Sequence, residues 1–139
     1  MFEVCRIWLV VLGVGLAAGG TVMVIVAGLP ALRPLLRLLD RGFWPVGPDH
    51  TTRRFEAWAY SVTFATMAGW GVCVAFLAAA GFPTRQIWVW WAVAASLVLW
   101  YPLDTVRSVL HRVWINAALN TVVLIVAAVP LALTLGEFR

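Results

Sequence analysis

Between its charged residues the chain falls into four long apolar runs. Residues 7–32 give 26 residues without a charge, 57–84 give 28, 86–103 give 18 and 113–136 give 24. A helix needs about 20 residues to cross ~30 Å of hydrocarbon. Three runs clear that length, and the third does so once Gln86 and the residues beyond Tyr101 extend it. No run alternates with the period of two that a barrel strand requires, and backbone in lipid must be satisfied in a helix or a closed barrel. The pattern predicts an all-α integral membrane protein, a four-transmembrane-helix bundle forming a single domain over residues 1–139. Its spans fall near 7–29, 56–80, 86–109 and 112–135. The first run is read as a span rather than a cleaved signal peptide. It exceeds the roughly 7–15 apolar residues of a signal core, and Glu3 stands beside Arg6 in the segment before it.

The polar stretch between the first two runs holds a shorter pattern. Pro34 stands where a helix accepts proline in its first turn, and Gly42 stands where helices stop. Between them, Leu35, Leu36, Leu38 and Leu39 share one face at 100° per residue, while Arg37, Asp40 and Arg41 take the other. This predicts a short interfacial amphipathic helix over 34–41, leucines toward the bilayer, with Phe43 and Trp44 as an anchor. The membrane-surface residues are thus Leu35, Arg37, Leu39, Arg41, Phe43 and Trp44. Asp49, Thr51 or Thr52 is placed to cap the second span. His50 beside them reads as a solvated loop residue.

Composition narrows the class. Apolar residues make up 63 % and charged residues 12 %, against roughly half and a quarter in a soluble domain. That excludes a cytosolic globular enzyme, a secreted disulfide scaffold and a disordered regulator. All ten basic residues are arginine, a usage that points to a GC-rich bacterial genome. They lie between apolar runs, at head-group level, so the net charge of +4 argues for a bilayer as partner and not for nucleic acid. The side holding Arg6, Arg85 and Arg139 has three arginines. The side holding Arg33, Arg37, Arg41, Arg53, Arg54, Arg107 and Arg112 has seven. Cationic residues favour the cytoplasm, which orients both termini to the periplasm of a bacterial inner membrane.

Tryptophan placement follows the same geometry. Trp8, Trp44, Trp58, Trp88, Trp90, Trp91, Trp100 and Trp114 fall near span ends, the positions of an aromatic belt. Trp70 sits mid-span between Gly69 and Gly71, and reads either as packed into a neighbouring helix or as lining a cavity. Gly15 and Gly19 form a GxxxG spacing, a weak dimer signal.

Candidate chemistry is sparse. Two histidines, His50 and His111, and two unpaired cysteines, Cys5 and Cys73, give no metal spacing, no redox motif and no cofactor site. No nucleophile–base set, phosphate loop or carboxylate pair is present, so no catalytic residue is assigned. What remains is an asymmetry of depth. Thr21, Tyr60, Thr63, Thr66, Asp104, Ser108, Asn116, Asn120 and Thr121 gather toward the cytoplasmic half, while the outer half offers little beyond Thr134. Individually facing lipid, such groups are poorly satisfied. The expectation is a polar pocket bounded by Thr63, Thr66, Trp70, Asp104, Ser108, Asn116 and Asn120. Asp104 follows the kink-prone Trp100-Tyr101-Pro102. Either it closes the span in an interfacial ion pair with Arg107, or it marks a functional site.

The order Phe43-Trp44-Pro45, the run Thr63 to Gly71, then Trp100-Tyr101-Pro102-Leu103-Asp104-Thr105, Ser108, Asn116 and Asn120 resembles small uncharacterised four-helix bacterial membrane proteins. The resemblance spans about residues 40–130 and implies four helices without implying an activity. The function expected is an accessory or interaction subunit of a larger membrane complex, or a binder of a small apolar or lipidic ligand. A homodimeric transporter is the second reading, disfavoured for proton coupling by the lack of a mid-span acid. A membrane enzyme using Asp104, Arg107 and His111 is the third.

Overall fold

The computed structural model describes residues 1–27, 29–40, 43–44 and 46–138, with Asp40 described by its backbone alone. Arg41 and Gly42 of the expected interfacial segment, together with Pro45 and Arg139, lie outside the described residues. Every regular element among the described residues is helical. The elements are α1 (Phe2–Val26), α2 (Arg33–Asp40), α3 (His50–Phe76), α4 (Ile87–Leu110) and α5 (Trp114–Thr134). Four of these helical segments are long and apolar enough to cross a bilayer, which fits a multi-pass membrane protein.

The ends differ from the hydropathy reading where polar residues join a helix. α3 begins at His50, six residues before the expected start, because Asp49 caps it by accepting the Thr52 backbone N–H at 2.7 Å. That bond satisfies a donor the first turn would otherwise orphan. Arg53 and Arg54 therefore ride on helix rather than loop. At its far end α3 continues through a π-helical turn, Leu77–Gly81, and a 3-10 turn, Phe82–Thr84.

The helices join along two seams of different chemistry. α1 and α3 meet through small residues. A Cβ on Gly13 would fall 2.5 Å from the Ala75 nitrogen, one on Gly71 2.5 Å from the Ala17 nitrogen, and one on Gly20 2.6 Å from the Phe64 carbonyl. Only glycine permits backbones this close, and such contact is how apolar helices associate in lipid. Gly15 and Gly19, whose GxxxG spacing is a weak dimer signal, face open space and take no part in this seam. The second seam joins α4 to α5, apolar along Val89, Val93 and Leu97 and polar from Tyr101 to Ser108.

The apolar core fills one end of the bundle. Leu9, Phe82, Val89, Val93, Leu97, Ala127 and Leu131 are all buried there. Phe2, Phe82 and Phe138 form an aromatic cluster, with the Arg85 guanidinium 4.0 Å from the Phe2 ring centroid and paired with Glu137. These contacts bring the start of α1, the α3–α4 turn and the C-terminal turn to one end. At the other end Phe43 lies 5.5 Å from the His111 ring, joining the α2–α3 connection to the α4–α5 turn. The four long helices thus alternate in direction.

Candidate functional site

At the end opposite the aromatic cluster, α4 carries Tyr101, Asp104, Thr105 and Ser108. Their spacing of three and four residues sets them on one face. α5 runs back antiparallel with Asn116, Asn120 and Thr121 against that face. Asn116 Nδ2 donates to Asp104 Oδ1 at 2.8 Å and to Ser108 Oγ at 2.7 Å. Ser108 Oγ donates to the Asp104 carbonyl at 2.8 Å and approaches its carboxylate at 3.2 Å. The three side chains close a triangle across the hairpin. One turn deeper, buried Asn120 reaches Thr105 Oγ1 at 3.4 Å, and Tyr101 shares a 3.2 Å bond with Thr121. Near the other end of the same seam, Trp90 donates to the Leu131 carbonyl at 2.9 Å.

Asp104, Ser108, Asn116 and Asn120 are therefore brought to one seam. Thr63 and Thr66 are not. Both are exposed, and each hydroxyl donates to its own helix, to Ala59 and Val62 carbonyls at 2.9 and 3.0 Å. A threonine in a helix satisfies itself this way, so nothing forces it inward. Trp70 belongs to a neighbouring contact: its indole donates to Ser96 Oγ at 3.1 Å and its ring lies 5.6 Å from Trp100. Trp90 and Trp100 thus turn partly inward, whereas Trp8, Trp58, Trp88, Trp91 and Trp114 remain exposed as belt positions require.

The ion-pair reading of Asp104 does not hold. Arg107 is exposed and does not join Asp104, unlike Arg6 with Glu3 and Arg85 with Glu137. Asp104 is half-buried and is met by neutral donors instead. His111, one turn after Arg107, packs on Phe43. Among the described residues no three of His, Cys, Asp and Glu lie close enough to share a metal ion. Cys5 is buried, Cys73 is exposed, and both thiols are free.

Thr105, Tyr101 and Thr121 are the seam residues that the pocket reading left out. The signal was present: 101, 104, 105 and 108 form one helical stripe, and 116, 120 and 121 form its counterpart.

Of the surface residues on α2, Leu35 and Leu38 are about half exposed, while Leu36 and Leu39 turn partly inward. Arg37 is exposed, and Phe43 stacks near Trp44 at 5.6 Å. Comparison with family models, with curated proteins and with solved structures finds no match for this chain.

Proposed function

We propose that this chain is a small bacterial inner-membrane protein that acts by binding, as an accessory subunit of a larger membrane assembly, and performs no covalent chemistry of its own. The observation that carries this reading is the closed Asp104–Ser108–Asn116 triangle. Its carboxylate is met by Ser108 of α4 itself and by Asn116 of α5, and the two Asn116 bonds tie α5 to α4, so the group is engaged in holding the hairpin. Proton coupling and acid–base catalysis place their acid against a substrate or a water path, whereas this one is placed against a neighbouring helix. A stiffened hairpin with an apolar exterior suits a subunit that presents fixed helix faces to lipid and to neighbouring helices.

The test is purification from native membranes in mild detergent, followed by mass analysis of the intact particle. A second polypeptide in fixed stoichiometry is expected. A lone homodimer that moves solute when reconstituted would replace this reading with the transporter. One observation favours that second reading: an apolar groove of about 700 Å³ runs along α1 over Trp8, Val11 and Gly15 and touches Val126 of α5.

A further inference from the structure

We infer that a cavity between α2 and the start of α3 binds the phosphate of an anionic phospholipid headgroup. The cavity holds about 590 Å³ and is lined by Arg33 and Arg37 of α2 and Arg53 of α3. It uses none of the α4–α5 seam, so it goes beyond the function proposed above and shares with it only the placement of the chain in a bilayer.

Charge is the first argument. Arg33 and Arg37 stand four residues apart on α2, one turn from each other, where like charges repel. Neither makes an ion pair or a hydrogen bond with a described residue. Arg53 donates its Nε to the Pro48 carbonyl at 2.9 Å, which fixes the plane of the guanidinium while its terminal nitrogens remain available. Glu56 also lines the cavity, so its described lining residues carry three arginines against one glutamate. A phosphate offers several acceptor oxygens to these forks at once and relieves the repulsion between Arg33 and Arg37.

Shape and depth select the source of that phosphate. The cavity is bounded by Ala27, just beyond the end of α1, and by Ala57 in the second turn of α3. In a bilayer-spanning chain those positions lie at head-group level. Its walls include Leu36, Leu38 and Trp44, apolar surface that free phosphate would leave unused and that a glycerol backbone and upper acyl chain would cover. A volume of 590 Å³ suits a drug-sized group rather than a bare anion. Basic pockets at the ends of membrane helices recognise anionic head groups by this combination of charge and depth.

The experiment is native mass spectrometry of the full chain in detergent, titrated separately with phosphatidylglycerol, phosphatidylcholine and inorganic phosphate. Wild type is expected to retain phosphatidylglycerol in preference to phosphatidylcholine. The Arg33→Gln/Arg37→Gln double variant should lower that preference roughly tenfold or more, while Arg107→Gln, at the same end but outside the cavity, should leave it unchanged. Equal retention of the two lipids by wild type overturns the inference without needing any variant to fold. So does a folded double variant that retains phosphatidylglycerol like wild type, or an Arg107→Gln loss of equal size. Displacement of phosphatidylglycerol by inorganic phosphate at equal concentration would assign the site to free phosphate and overturn the lipid source. The readout is binding, so it stands or falls independently of whether a partner subunit co-purifies.

Discussion

The amide of Asn116 sits between the carboxylate of Asp104 and the hydroxyl of Ser108, 2.8 and 2.7 Å from them, and ties the fourth span to the third. Asn116→Leu removes both bonds and strips a half-buried carboxylate of one of its two donors. Interhelical hydrogen bonds in bilayers average ~0.6 kcal/mol and reach ~1.7 kcal/mol, so a loss of about 1–2 kcal/mol is expected. Asn120→Leu, whose bond to Thr105 is 3.4 Å, should cost less. Thermal unfolding in detergent orders the two. A larger loss at Asn120 would show that the triangle is not the principal lock.

The α1–α3 crossing makes the opposite demand on side-chain size. Gly13→Ala and Gly71→Ala each place a methyl within 3 Å of facing backbone, which must move apart. Overpacking of this kind costs about 1–3 kcal/mol. Gly15→Ala and Gly19→Ala enter open space and should be neutral or stabilise the helix by up to ~1 kcal/mol. Melting curves of the four variants test the contrast. Equal losses at Gly15 and Gly13 would contradict the crossing.

The four spans were legible in the sequence because hydropathy over about 20 residues follows from the thickness of the hydrocarbon. Their ends were less so. The start of α3 depended on one local bond, the Asp49 cap, which placed Arg53 and Arg54 on the helix. The Asp104, Ser108, Asn116 and Asn120 grouping was legible because i,i+4 spacing fixes a common face. Thr63 and Thr66 were misplaced since hydropathy cannot distinguish a hydroxyl that bonds its own helix from one that bonds a neighbour. Gly13, Gly20 and Gly71 were invisible for a related reason. Several small residues populate each helix, and only the mutual register of α1 and α3 decides which ones touch.

Two arginines adopt left-handed backbone in the interhelical turns, Arg85 at φ 56° and Arg112 at φ 59°. That conformation costs an L-residue with a Cβ about 1–2 kcal/mol. Arg112→Gly relieves it, offset in part by the greater freedom of glycine when unfolded, for a net gain of up to ~1 kcal/mol. Arg85→Gly relieves the same strain but loses the Glu137 pair and the Phe2 contact, each worth about 0.5–1 kcal/mol. The Tm should therefore rise for Arg112→Gly and stay level or fall for Arg85→Gly. A rise of equal size in both would show that the Arg85 contacts contribute nothing.

The Asp49 carboxyl is held below its ordinary value of 3.8, chiefly because its charged form accepts the Thr52 backbone N–H. A depressed carboxylate stabilises the folded state above its unfolded pKa, and that contribution disappears as pH falls through the lower folded value. The Tm difference between wild type and Asp49→Ala should thus be constant above about pH 5 and shrink as pH falls below 3.8. A difference that grows on acidification would reverse the sign and remove the cap from the account of where α3 begins.

Topology can be tested apart from any function. The aromatic cluster of Phe2, Phe82 and Phe138 joins the start of α1, the α3–α4 turn and the C-terminal turn at one end, so both termini share a side. Counted by sequence position alone, Arg6, Arg85 and Arg139 fall to the side of the termini and seven arginines fall to the other. The excess of positive charge predicts that the seven face the cytoplasm and the termini the periplasm. A reporter active only in the cytoplasm, fused after Arg139, should be silent, and one fused within residues 46–49 should be active. Moving charge should move the protein: replacing Arg33, Arg37, Arg53 and Arg54 with glutamine removes four of the seven and leaves three on each side. The variant is expected to populate both orientations, giving partial activity at each fusion point. Full activity of the C-terminal fusion in the wild-type chain would invert the orientation, and place the arginine-lined cavity in the outer leaflet.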